Sequence, residues 1–196
     1  MQLFKTKRLL LVAATFMVGL MAGAGVVVAN HPWICSGSTA YHYSPRTVGY
    51  ANPVAQTGGI VRSVSSYTSA YSGSISLWDT TIIALVNSST PKLRLYYGAY
   101  GQNGWLGLAS LTSVGSGCHI NAANAKLNDS YLRDTSRYSQ TAVNHVSCQE
   151  VGHTFGLNHN RSQTNTCMND RILTAGNQIN QHDRDQLNSI YAHVPQ

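Results

Sequence analysis

Gln149, Glu150, His153 and His159 fall within one short segment, Cys148-Gln149-Glu150-Val151-Gly152-His153-Thr154-Phe155-Gly156-Leu157-Asn158-His159, and carry groups that can hold a metal and move a proton. Gln149 and His153 are four apart, so on a helix both side chains leave the same face and can reach one ion. Gly156 permits a sharp reversal, after which His159 can approach that ion from another direction. Three protein ligands leave one coordination position open, the arrangement of catalytic rather than structural zinc. Glu150 adjoins the first ligand position, where it can take a proton from a water attacking a carbonyl and return it to the leaving amine.

The amide oxygen of Gln149 is a weaker zinc ligand than an imidazole nitrogen. Three roles are therefore open to it: ligand through its oxygen, holder of a water that binds instead, or bystander at a site that has lost its metal. His145 does not substitute. It lies eight residues from His153, about 12 Å along a helix.

Such a site needs a helix, and residues 139–155 supply the best candidate. Ala142, Val146, Gln149 and His153 fall on one stripe at about 100° per residue, with Val143 and Glu150 beside it, and Gly156 follows as a left-handed stop. The metal-facing stripe thus continues a buried one, which predicts a site where helix meets sheet. A final helix is predicted over 181–192, with Leu187, Ile190 and Tyr191 inward.

Upstream, strands are predicted over 41–50, 82–86, 93–97, 105–114 and 119–127, with the second short and buried and the third alternating. Asn52-Pro53 and Gly58-Gly59 break the chain. Residues 60–78 are ambiguous: Val61, Val64, Tyr67, Tyr71 and Leu77 fit a helical face, but the Ser-rich, β-branched content weakens it. Strands followed by helices argue for an α+β domain.

Glu150-x-x-His153-x-x-Gly156-x-x-His159 resembles the metzincin zinc endopeptidases, whose usual pattern begins with a histidine where Gln149 stands. Cys167-Met168-Asn169 looks like the methionine turn of that family, and Gly104-Trp105-Leu106-Gly107-Leu108-Ala109 looks like a matrixin-type edge strand against which an extended substrate pairs. The segment from His182-Asp183 to Tyr191 looks like the family's closing helix. The resemblance covers most of residues 40–193, and only 149–168 is specific. It implies a mixed, twisted β-sheet with an active-site helix and a C-terminal helix. It further implies zinc as cofactor, Gln149, His153 and His159 as ligands, Glu150 as general base and acid, and Met168 packed beneath the ligands without binding. The implied function is a secreted endopeptidase acting on peptide or protein substrates. A zinc hydrolase acting on a cell-wall peptide or another amide would share the site. A second class, a non-catalytic secreted binding module with a weakened or empty metal site, fits the same scaffold, and zinc stoichiometry separates the two.

Export follows from the N-terminus. Lys5, Lys7 and Arg8 precede an apolar run over 9–20, and Val27-Val28-Ala29 is a small-residue cleavage pattern. A signal peptide is expected over 1–29 and a single catalytic domain over 30–196, extracellular, monomeric and without stable membrane association. The alternative is a retained anchor, since residues 9–29 are about long enough to span a bilayer. Lys5, Lys7 and Arg8 are the only charged residues lost on cleavage, so the formal charge falls from +6 to +3. The remaining basic residues are scattered, which argues against nucleic-acid binding.

In an oxidising compartment Cys35, Cys118, Cys148 and Cys167 should form two disulfides, with three connectivities possible. Pairing Cys148 with Cys167 is favoured because it would tie the metal helix to the following loop, leaving Cys35 with Cys118. His31, His42, His119, His182 and His193 are expected to be structural or surface residues.

Overall fold

The computed structural model describes residues 32–195, so the expected signal peptide lies outside the described residues. In chain order the elements are β1 (Ile34–Ser36), β2 (Thr39–Ala40), β3 (Thr47–Tyr50), β4 (Val54–Ala55), α1 (Val64–Trp78), β5 (Ala84–Asn87), β6 (Leu93–Gly98), β7 (Gly107–Val114), β8 (Ile120–Asn128), α2 (Asp129–Leu132), α3 (Gln140–His153) and α4 (Gln181–Ile190). The class is α+β, as expected.

β1 and β2 form a small antiparallel pair. The main sheet runs β5-β3-β6-β8-β7, with β4 pairing β6. All its pairings are parallel except that of β7 with β8, which puts one antiparallel strand at an edge of the sheet.

The ambiguous stretch before the sheet is a helix. Ser63 caps α1 by accepting from the Ser66 N–H, and the buried face is Tyr67, Ala70, Tyr71, Ser74, Ile75 and Trp78. These recur at three- and four-residue steps, the helical period. Val61 and Val64 were expected on that face and are instead exposed, because the aromatic bodies of Tyr67, Tyr71 and Trp78 already fill the interior side. The Tyr71 hydroxyl stands 2.8 Å from the Tyr96 and Ala125 carbonyls, fastening α1 to β6 and β8.

Two strand expectations change. The strand expected over 41–50 is confined to β3, since Pro45 brings no N–H to a ladder. The strand expected to be buried is the edge strand β5, where only Leu85 is inward and Val86 is 47% exposed.

α3 packs against α1, β7 and β8. Ser139 caps its start by accepting from the Ala142 N–H. Trp78 reaches over from α1, and its indole N–H donates to the Cys148 carbonyl at 2.9 Å. α4 opens on a capping box between Asn180 and Asp183, and its Leu187 and Ile190, with the following Tyr191, are buried.

Both disulfides form, Cys35–Cys118 and Cys148–Cys167. The second pins the loop that carries Cys167 to α3. No helix among the described residues is long and apolar enough to cross a membrane.

Candidate metal centre

α3 delivers Gln149, Glu150 and His153 from its last turns, all buried. The chain then turns at Gly156, whose φ is +89° and whose missing Cβ leaves room for the Tyr41 carbonyl. The reversal returns His159 to the ring of His153, with centroids 4.7 Å apart and the planes at 71°. The sequence-predicted Gln149, His153 and His159 are therefore supplied by one helix end and its return.

Each of these side chains has one polar atom tied and one left over. The Gln149 Nε2 donates to the Cys167 carbonyl at 3.0 Å, which turns Oε1 to the opposite side of the amide. The His153 Nδ1 donates to the Leu157 carbonyl at 2.8 Å, so the lone pair sits on Nε2. His159 Nδ1 stands 3.5 Å from an Asp170 carboxylate oxygen, leaving its Nε2 likewise available. Ligand imidazoles ordinarily donate their second N–H to a carbonyl or carboxylate in this way, which fixes the tautomer.

Asp170 is held in turn by Arg161, whose Nε and Nη2 donate to its two oxygens at 2.7 and 2.5 Å. Burial works to raise the Asp170 pKa, but the Arg161 hydrogen bonds and His159 outweigh it and the carboxyl stays below its usual range. Burial drives His153 down to about 3, with His159 adding to the shift. Burial also lowers His159, with Asp170 opposing. Both imidazoles are therefore neutral at pH 7, the state in which they can bind a metal.

Glu150 is the only glutamate in the chain. Burial pushes its carboxyl up to about 8, against a small lowering by the Ala109 backbone N–H. Its side chain lies along the start of β7. A Cβ on Gly107 would stand 2.5 Å from Glu150 Cγ and 2.7 Å from its Oε1, so the absence of a side chain there is what admits the carboxylate.

Met168 is fully buried beneath α3, where a Cβ on Gly152 would stand 2.6 Å from its sulfur. The turn carrying it is held from two directions. The Asn160 N–H donates to the Met168 carbonyl at 2.7 Å, and the Thr166 hydroxyl donates to Asp183 at 2.5 Å. His145, rejected as a ligand, serves the same turn instead, because its Nε2 donates to the Asn169 carbonyl at 2.9 Å. His145 and Gln149 thus bind successive parts of the 167–169 turn to one face of α3.

Four residues that shape the site, Trp33, Gly107, Ala109 and Asp170, were not assigned these contacts from the sequence. Trp33 stacks on His153 with centroids 5.4 Å apart and planes within 4°, and its N–H donates to the Gly156 carbonyl at 2.8 Å. It is remote in sequence, so no spacing rule finds it. Gly107 and Ala109 meet Glu150 only because α3 crosses β7. Asp170 follows Met168 closely, and an acidic residue beside the methionine turn was the one available cue.

Among the described residues no three His, Cys, Asp or Glu side chains form a metal-holding group, so a metal centre here would need the amide of Gln149. No family model matches the chain, and no curated protein matches it.

Proposed function

We propose that the chain is a secreted, zinc-dependent endopeptidase with a metzincin-like, matrixin-like catalytic domain. The observation that carries this reading is the tethering of the three ligand-position side chains. Gln149, His153 and His159 each have one polar atom engaged by Cys167, Leu157 or Asp170, and each keeps one lone-pair atom free. Two neutral imidazoles and an amide oxygen are a donor set that zinc accepts, with the amide as its weakest member.

When bound there, zinc supplies Lewis acidity, polarising a water and a substrate carbonyl. Glu150 serves as general base and then acid. Burial pushes its carboxyl up to about 8 in the metal-free protein, and a nearby dication would favour the ionised form that accepts a proton. Its partner is the proton of the attacking water, which it afterwards hands to the leaving amine.

β7 lies at the end of the sheet order and among the described residues pairs only with β8, so its outer edge can take an extended peptide by strand addition. Gly107 and Ala109 on that strand lie against Glu150, which would bring a paired peptide's backbone near the carboxylate. The two disulfides and the absence of a membrane-crossing helix among the described residues agree with an extracellular protein.

The test is zinc content and proteolysis on one preparation. One zinc per chain, cleavage of an unstructured protein, and loss of both on chelation are expected. A folded, metal-free and inert protein would overturn the enzyme reading in favour of a binding module.

A further inference from the structure

Three histidines outside the α3 site meet where the N-terminal segment, the loop before β8 and the C-terminal tail come together. His42 pairs with that loop through its backbone: its N–H donates to the Cys118 carbonyl at 3.2 Å, and its carbonyl accepts from the Ile120 N–H at 2.6 Å. The tail is brought in by Tyr191, whose hydroxyl accepts from the Tyr43 N–H at 3.1 Å, and by Arg46, whose Nε donates to the Val194 carbonyl at 2.8 Å. The His42 ring then stands 4.9 Å from that of His119 and 4.6 Å from that of His193, edge-on to both.

Two of the ring nitrogens lie close together. His42 is 1% exposed, and its Nδ1 donates to the Ala40 carbonyl at 2.9 Å, which puts the lone pair on Nε2. The Nε2 of exposed His193 donates a hydrogen bond to that atom at 3.2 Å. Two imidazole nitrogens on one tetrahedral ion, with bonds of about 2.0–2.1 Å, stand about 3.3 Å apart. Burial, with the two neighbouring imidazoles, keeps His42 below the usual histidine range, so at neutral pH its Nε2 is an acceptor, engaged by His193, that an ion would take in place of that hydrogen bond.

We propose that His42, His119 and His193 form a second metal site, separate from the α3 centre and taking a divalent ion of the zinc, nickel or copper class. Neutral imidazoles select those ions over magnesium and calcium. The trio is not yet closed around a point. Half-buried His119 would complete it by a turn of its side chain away from Gly117, where its Nε2 stands 3.5 Å from the position of a Cβ. A bound ion would clip together three segments far apart in sequence. One of them begins at Trp33, the residue stacked on His153.

The experiment uses the chain without a polyhistidine tag, its His193→Ala and His119→Ala variants, and zinc alone as probe, read by equilibrium dialysis at pH 7.5 and 5.5. Wild type should bind one zinc equivalent more than His193→Ala, whatever the α3 centre holds. His119→Ala should weaken that equivalent at least tenfold, and pH 5.5 should release it. Equal stoichiometry in wild type and His193→Ala, or an unaffected His119→Ala, would overturn the site. As a check independent of any variant, substoichiometric nickel should broaden the ring proton signals of His119 and His193 in the wild-type spectrum. Broadening confined to His153 and His159 would overturn it equally.

Discussion

The side-chain amide of Gln149 donates to the carbonyl of Cys167 at 3.0 Å, and Cys167 is itself joined to Cys148, the residue before Gln149. The helix and the methionine turn are thereby tied twice at the same point, once covalently and once through the ligand-position side chain. This orients the Gln149 oxygen, so that in the proposed site less side-chain freedom would remain to be lost on binding an ion.

Zinc affinity should follow the donor at position 149. Gln149→His should tighten zinc by about tenfold or more, since imidazole is the better ligand, while Gln149→Ala should weaken it by about 10- to 100-fold. Competition with a chromophoric chelator reads both. Zinc binding that appears only in the histidine variant would show that the natural residue is not a ligand.

Asp170 should govern the metal through His159. Asp170→Ala removes the acceptor for His159 Nδ1 and frees Arg161, and should weaken zinc by about 10- to 100-fold while leaving the fold intact. Unchanged zinc affinity alongside an unchanged circular dichroism spectrum would refute this role.

Glu150→Gln should lower proteolysis by about a thousandfold or more without releasing zinc. The same variant should alter the pH dependence of stability in the presence of chelator. The Glu150 pKa rises from 4.5 in the unfolded chain to about 8 in the fold. The unfolded state therefore ionises first, and stability is lost as pH rises from about 4.5 to about 8. His153 acts oppositely: its pKa falls from 6.5 to about 3, so stability is lost as pH falls below about 6.5. Urea unfolding at pH 6.5 and 8 should show a decline in wild type that is flattened in Glu150→Gln; parallel curves would count against the buried carboxyl.

Gly107→Ala places a methyl 2.5 Å from both Glu150 Cγ and Val146 Cγ1. Overpacking of this kind costs about 1–3 kcal/mol, and displacement of the Glu150 carboxylate should lower kcat more than it raises KM. A variant with wild-type kinetics and melting temperature would mean that β7 and α3 give way freely.

Replacing Cys148 and Cys167 together by serine should cost about 3 kcal/mol, the loop-closure value for a separation of 19 residues. It should also weaken zinc, because the carbonyl that orients Gln149 belongs to Cys167. Calorimetry and chelator competition on the same variant measure the two effects, and a loss of stability with full zinc affinity would separate the disulfide from the site.

The geometry of residues 149–159 was legible because it is local: the four-residue step from Gln149 to His153 and the glycine at 156 fix directions that helix and turn geometry alone dictate. The outlines of α3, α4, β6, β7 and β8 were legible for the same reason, through the 3.6 and 2.0 periods of their apolar residues. The inward face of α1 was legible only in part: Tyr67 and Tyr71 were expected there and are buried, but Val61 and Val64 compete with them and with Trp78, and only packing against the sheet decides which is buried. Tertiary structure alone decided what surrounds the site: the Trp33 stack on His153, the Asp170 contact with His159, and the gap at Gly107 that admits Glu150. It alone also brought His42, His119 and His193 together. Contacts between residues tens of positions apart leave no period in a sequence, since they arise from how whole elements share one core.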